Sequence, residues 1–402
     1  MKRFAVATAI AALLASVATL PSLAAEKTVW RLFVSDHAEP IITIIDAISG
    51  NKLDTLPLKG PASLYRSASG RTVFAVQGKA DTVSVVSTGV TFDDHGDHGD
   101  IEVTAPKLTG VEIKGPKPSH FVEHRGEFTL FFDGEGTARI LDEKAALQDG
   151  TPLRAVKTDA PHHGVAATYG DFALLSQPNK EKPDELPVGI RAVDAEGKQV
   201  GDVHACPDLH GEATSGKLMA FACATGLLLV RDGESGPGIE HVPYPAGLPA
   251  GKATTLLGGK GLQYFLGNYG ADRLLLVDPS AKDAFRLIDL PTRRVHFAVD
   301  PLRPRFAHVF TEDGQLHQVD IIAGKIAQSV KVTDPYSMDG HWSDPRPRIA
   351  VAGDRIVVTD PLKGLLHLVD ATSFARTGDI PLAGKPFNIV AVGGSGEAHA
   401  TE

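Results

Sequence analysis

The feature that most constrains this chain is a repeat. Short apolar runs, broken by Gly, Pro, Asp or Asn, recur in sets about every 45 residues. Each set opens on small, polar or histidine residues and turns into an apolar strand, such as the run from Arg71 to Val76. A second strand, often ending in Val-Asp, follows, and a last strand runs into a Pro- or Gly-rich link. Sets open near Pro61, Pro118, Pro161, Asp208, Lys252, Arg293, Asp339 and Lys385. Only the first interval is longer, because of an insertion at about 92–106. Helical periodicity is almost absent. The period is that of a four-stranded propeller blade. The chain therefore reads as all-β, a β-propeller of eight four-stranded blades, or seven if one weak set is misread. A pair of β-sandwiches would leave the near-constant period unexplained. The last opener, from Pro386 to Val390, has no strands after it, while the strands at 29–34, 41–47 and 52–58 lack an opener. Joining them predicts a ring closed by pairing of the N- and C-terminal strands.

Residues 1–24 read as a secretory signal peptide. Lys2 and Arg3 precede an apolar stretch from Phe4 to Leu20, Pro21 ends it, and Ser22-Leu23-Ala24 supplies small residues before a cleavage point. An N-terminal anchor is the weaker alternative. No later segment is long and apolar enough to span a bilayer. The expectation is an exported, periplasmic protein whose residues 25–402 form a single propeller domain, with no membrane insertion and a monomer as its state. The net charge of −9 offers no basic face for nucleic acid.

Cys206 and Cys223 are the only cysteines. An even count in an exported chain reads as a disulfide, worth roughly 3 kcal/mol in the loop-entropy model. A pair of metal thiolates is the rival, though the spacing is not the tight C-x-x-C of such a site.

When the sets are aligned on their openers, histidine recurs: His120, His163, His210, His296 and His341. In a propeller the opening strand lines the central channel, so equivalent positions lie on one ring about the axis. Neutral imidazoles around a channel mouth suit a transition metal. His120, His163 and His210 come from consecutive blades and converge most easily, with His341 next and His296 last. Glu212 could ligate or accept a hydrogen bond from a ligand; His124, and His162 beside His163, read as structural or undecided. Calcium and magnesium prefer oxygen cages, and blue copper needs a cysteine that the disulfide removes. Three or four imidazoles suit zinc, while the affinity order leaves copper open. The inserted stretch Phe92-Asp93-Asp94-His95-Gly96-Asp97-His98-Gly99-Asp100 reads as a mobile, metal-collecting hairpin tip or a solvated acidic turn. His95 and His98 are its candidate ligands, with Asp94, Asp97 or Asp100 as partners. It falls between the third and fourth strands of its blade, at the mouth opposite the histidine ring, so two separable sites are expected.

The signal peptide, the propeller repeat, the loop at 95–100, Pro161-His162-His163-Gly164 and Cys206-Pro207-Asp208-Leu209-His210-Gly211-Glu212 with Cys223 together resemble the AztD-type periplasmic zinc chaperones. The resemblance covers essentially the whole chain after residue 24. It implies a propeller that holds zinc and passes it to the solute-binding protein of a zinc ABC transporter, with no enzymatic activity. By motif, its zinc-binding character falls on His120, His163, His210 and the loop at 95–98. Two other classes compete: a metal-dependent propeller hydrolase of the lactonase kind and a metal-free interaction scaffold. Against the first, no Ser–His–Asp or paired-carboxylate arrangement is evident; against the second stands the histidine ring. No C-x-x-C-H haem motif occurs.

Overall fold

The computed structural model describes residues 25–95 and 99–398. The signal peptide expected at 1–24, and His98 with Gly96 and Asp97, lie outside the described residues. No helix among the described residues is long and apolar enough to cross a membrane.

Eight four-stranded antiparallel units make up a β-propeller. Seven follow chain order, with inner strands Ser63–Arg66, Pro118–His124, Ala166–Tyr169, Glu212–Ser215, Leu256–Leu257, Arg294–Val299 and Ile349–Ala352. The eighth is completed from both ends of the chain, as expected: Pro386–Ala398 pairs antiparallel with Ala25–Asp36, placing Phe33 opposite Val390 and Leu32 opposite Ala391. Asp36 locks the seam. Its Oδ1 accepts from the backbone N–H groups of Ala38 and Glu39, and its Oδ2 from that of Lys385.

Burial explains the repeat. The two middle strands of a blade are covered on both faces by neighbouring blades and read as continuous apolar runs; Thr72–Gln77 and Thr82–Ser87 are buried almost throughout. The outermost strand is an edge, and edges are polar where they must not pair with another chain. Gln199–Ala205 and Lys325–Lys331 are accordingly mostly exposed. The recurring β-branched-residue–Asp ends also acquire a physical meaning. Asp46 Oδ1 accepts from Ile48 and Ser49, Asp320 Oδ1 from Ile322 and Ala323, and Asp370 Oδ1 from Thr372 and Ser373. Each aspartate closes the turn to the outer strand by accepting backbone donors that would otherwise lack a partner.

The insertion lies between the third and fourth strands of its blade, as predicted. It forms a hairpin, Val90–Asp94 with Gly99–Val103, joined to the far end of Pro386–Ala398. Arg31 holds its base: the buried guanidinium donates to the carbonyls of Thr88 and Thr104, one on each side of the hairpin. Inner strands run from the mouth where links enter to the opposite mouth. The hairpin therefore projects from the face opposite those links.

The turn account has a direct test. Asp370→Ala removes two backbone acceptances and should cost about 1–2 kcal/mol, read as a lower urea midpoint. Asp370→Asn keeps Oδ1 and should stay close to the native value; equal losses in both variants would contradict the account.

Candidate metal centre

Three imidazoles converge at the entry mouth. His120 lies in the inner strand Pro118–His124, His163 in the link before Ala166–Tyr169, and His210 in the link before Glu212–Ser215. Their ring centres are 4.9 Å apart for His120–His163, 5.4 Å for His163–His210 and 6.1 Å for His120–His210. They line a cavity of about 10 Å³ with Gly164, Val165, Leu209, Gly211 and Glu212. That volume is of the order of one water-sized sphere.

The backbone carrying these side chains is set by local sequence. At Gly211, φ is +98° and a Cβ would lie 2.8 Å from the Thr254 carbonyl, so only glycine lets the link pass its neighbour. At Gly164 a Cβ would meet His162 Nε2 and Ser176 Oγ at 2.4 Å. His162 is structural: Nδ1 donates to the Ala160 carbonyl and Nε2 accepts from Ser176 Oγ. His124 is buried, stacks on Tyr169 and donates from Nδ1 to the Thr168 carbonyl.

Each converging imidazole has its Nδ1 committed to an acceptor. His120 Nδ1 donates to Glu212 Oε1 at 2.9 Å, His163 Nδ1 to Asp133 Oδ2 at 2.7 Å and His210 Nδ1 to the Thr254 carbonyl at 2.7 Å. Asp133 is itself held by Ser119 Oγ. A carboxylate or carbonyl can only accept, so each Nδ1 keeps its proton and each neutral ring presents a lone pair at Nε2. His120 and His163 bring those nitrogens to 3.4 Å. Two lone pairs at that separation repel unless a proton or a metal ion lies between them. Two zinc–nitrogen bonds at a tetrahedral angle place their nitrogens about 3.3 Å apart and their ring centres about 5 Å apart. The His120–His210 pair is about 1 Å wider than that. Correspondingly, among the described residues no group of three or more His, Cys, Asp or Glu stands close enough together to hold a metal ion as placed.

The charge distribution fits. Burial alone would lower the His120 pKa, but the Glu212 carboxylate, by charge and hydrogen bond, and then Asp133 raise it above the ordinary histidine value. Burial pushes Glu212 up, yet His120, His210 and His163 bring it below the usual carboxylate range. His210 is lowered by burial. Glu212 Oε2 is buried with no hydrogen-bond partner among the described residues.

The five aligned histidines do not form one ring. His296 accepts from the Ile349 N–H at Nδ1, and burial, then Arg348 and Arg294, hold its pKa well below normal. Its neutral ring carries the proton at Nε2, the opposite tautomer from the triad. His341 is exposed, with Nδ1 against Ser343. No hydrogen bond or ring contact among the described residues joins either to the triad. His296 shares the inner-strand position of His120, whereas His341, contrary to the alignment, lies in the link well before its inner strand Ile349–Ala352. His95 lies on the projecting hairpin and pairs through Nε2 with Asp100 at 3.1 Å. Asp133, in the turn after Glu127–Phe132, orients His163 although it was not among the expected site residues. The cysteines form the expected disulfide.

No family model matches the chain. It is 55% identical over 400 residues to the zinc chaperone AztD of Citrobacter koseri, covering 99% of this chain and 95% of that protein. The chain belongs to the AztD zinc chaperone family. The crystal structure of Citrobacter koseri AztD superposes with a TM-score of 0.91 at 56% identity, covering 93% of this chain and all of that one. A structure of apo AztD from the same organism gives 0.88 at 55% identity, over 92% and 99% of the two chains. The dihydro-heme d1 dehydrogenase NirN shares the fold alone, with a TM-score of 0.58 at 13% identity over 93% of this chain and 78% of that one.

The Glu212→Gln variant removes the charge that favours protonated His120. Followed by NMR of the imidazole ring protons in metal-free protein, His120 should titrate at a lower pH than in the native chain. An unchanged titration would mean that the pair is not electrostatically coupled.

Proposed function

We propose that this protein is a periplasmic zinc chaperone that holds zinc through Nε2 of His120, His163 and His210 and passes it directly to the solute-binding protein of a zinc ABC transporter. The observation that carries the reading is the convergence of three Nε2 lone pairs, each fixed by an acceptor on Nδ1. Such outer partners orient imidazole ligands and raise their basicity. The relatives named above as zinc chaperones support the choice of metal. Export by residues 1–24 would bring the chain to the compartment where the disulfide forms.

Holding is favoured over turnover. The cavity is sized for an ion rather than an organic substrate, and both nearby carboxylates are engaged in orienting imidazoles. Exposure suggests the order of release. The His163 side chain is 46% exposed, against 19% for His120. A fourth position on tetrahedral zinc would take an incoming ligand from the acceptor, and His163 would be the first imidazole replaced. The 95–98 loop would form a second, separable ligand group on the opposite face. His341 and His296 remain outside this proposed ligand set.

His163→Ala or His210→Ala should lose most tight zinc while remaining folded, since the blades close without metal. Replacing both His95 and His98 by alanine should leave one tight zinc per chain and slow its capture or transfer. Zinc stoichiometry and the rate of transfer to the acceptor protein test both; tight binding retained by the His163 and His210 variants but lost by the loop variant would reverse the assignment. Protons compete for the same nitrogens. Because the His120 pKa is raised and that of His210 lowered, affinity should start to fall above the ordinary histidine value of about 6.5. It should fall more steeply below it, as further rings charge. Isothermal titration across that range checks this, and a flat profile would point to carboxylate ligation.

A further inference from the structure

His163 and His210 both lie in irregular links, and for His210 the geometry points to the Cys206–Cys223 disulfide as the element that positions it. We propose that this bond sets the zinc affinity of the site, an inference that rests on the zinc-holding reading above. Cys206 opens the link 206–211 just after the last strand of one blade, Gln199–Ala205; Cys223 ends the second strand of the next, Leu218–Cys223. The bond therefore staples two blades across the seam beside which His210 sits.

The link cannot hold itself by regular structure. Asp208 has φ +52° and Gly211 φ +98°, so it neither extends as a strand nor coils as a helix. Its backbone is tied on one side to the stapled strand, while the Asp208 carboxylate pairs with Lys252 and His210 Nδ1 with the Thr254 carbonyl. His210 N–H donates to the Ala222 carbonyl, Ala222 N–H to the Gly211 carbonyl and Ala224 N–H to the Pro207 carbonyl. At the other end, Cys206 N–H donates to Val188 and Leu209 N–H to Pro187. Both sulfurs are fully buried in a cluster with Leu209, Val165 and Phe221.

The same segment serves two of the three imidazoles. It carries His210, and it delivers Glu212, opposite Phe221 in the stapled strand, to the Nδ1 of His120. A displaced link would therefore misplace one lone pair directly and free a second ring to turn. An unpinned link must also be ordered by the metal, and that ordering entropy is subtracted from affinity.

The test is a double-mutant cycle on full-length mature protein, with zinc alone as ligand. Cys206→Ala with Cys223→Ala should reduce zinc affinity at least tenfold at a temperature where circular dichroism shows the variant folded. In a His210→Ala background the same cysteine replacements should change the residual affinity by much less, because the ligand they position is gone. If the double alanine variant does not fold, Cys206→Ala with Cys223→Val refills part of the vacated core and is expected to behave alike. Native affinity in a folded cysteine-free variant, with only its melting temperature lowered, would overturn the proposal. So would the same fold-loss in both backgrounds. Absence of zinc binding by the native protein would instead overturn the zinc-holding reading itself.

Discussion

An imidazole offers Nε2 to a metal only while its proton stays on Nδ1, and the site depends on that condition being met three times. Two carboxylates and one backbone carbonyl meet it here: Glu212 for His120, Asp133 for His163 and Thr254 for His210. Each of these acceptors reaches its histidine from a separate segment of the ring. Glu212 reaches back from two blades on, Asp133 from the preceding blade and Thr254 from the following link. The tautomers are therefore products of ring assembly, and a propeller that failed to close would lose the lone pairs together with the fold.

The propeller supplies that assembly with little reliance on local helix or turn propensity. Middle strands buried on both faces fix each blade, and a carboxylate at the end of the third strand closes the turn to the outer edge. Asp36 does the equivalent at the seam between chain ends. With the ring closed in this way, irregular links can enter one mouth and carry side chains that regular strands could not aim. The projecting hairpin, clamped at its base by Arg31, leaves from the other mouth.

Much of this was legible in the sequence. The period of the apolar runs gave the blade count and the pairing of the ends, because sandwiching between blades imposes the same burial on every set. His120, His163 and His210 were legible as a group for the same reason. The limit of that logic shows at His296, which lies in an inner strand like His120 but in another environment, and at His341, which falls in the link well before its inner strand Ile349–Ala352 and so off the shared position. His296 accepts at Nδ1 from Ile349, and His341 stays in solvent beside Ser343. A repeat tells where along a blade a residue falls, whereas the acceptor on its ring nitrogen comes from another blade and depends on register. Asp133 was missed on the same ground: an Asp-Gly turn is so common that nothing in one sequence marks the instance that faces an imidazole.

The central claim is that three Nε2 atoms share one zinc, and X-ray absorption at the zinc edge addresses it most directly. Mature protein loaded with one equivalent of zinc should show nitrogen or oxygen neighbours at about 2.0 Å, multiple scattering from three imidazoles and no sulfur. A first shell with one imidazole or none, or with a sulfur neighbour at about 2.3 Å, would contradict the account.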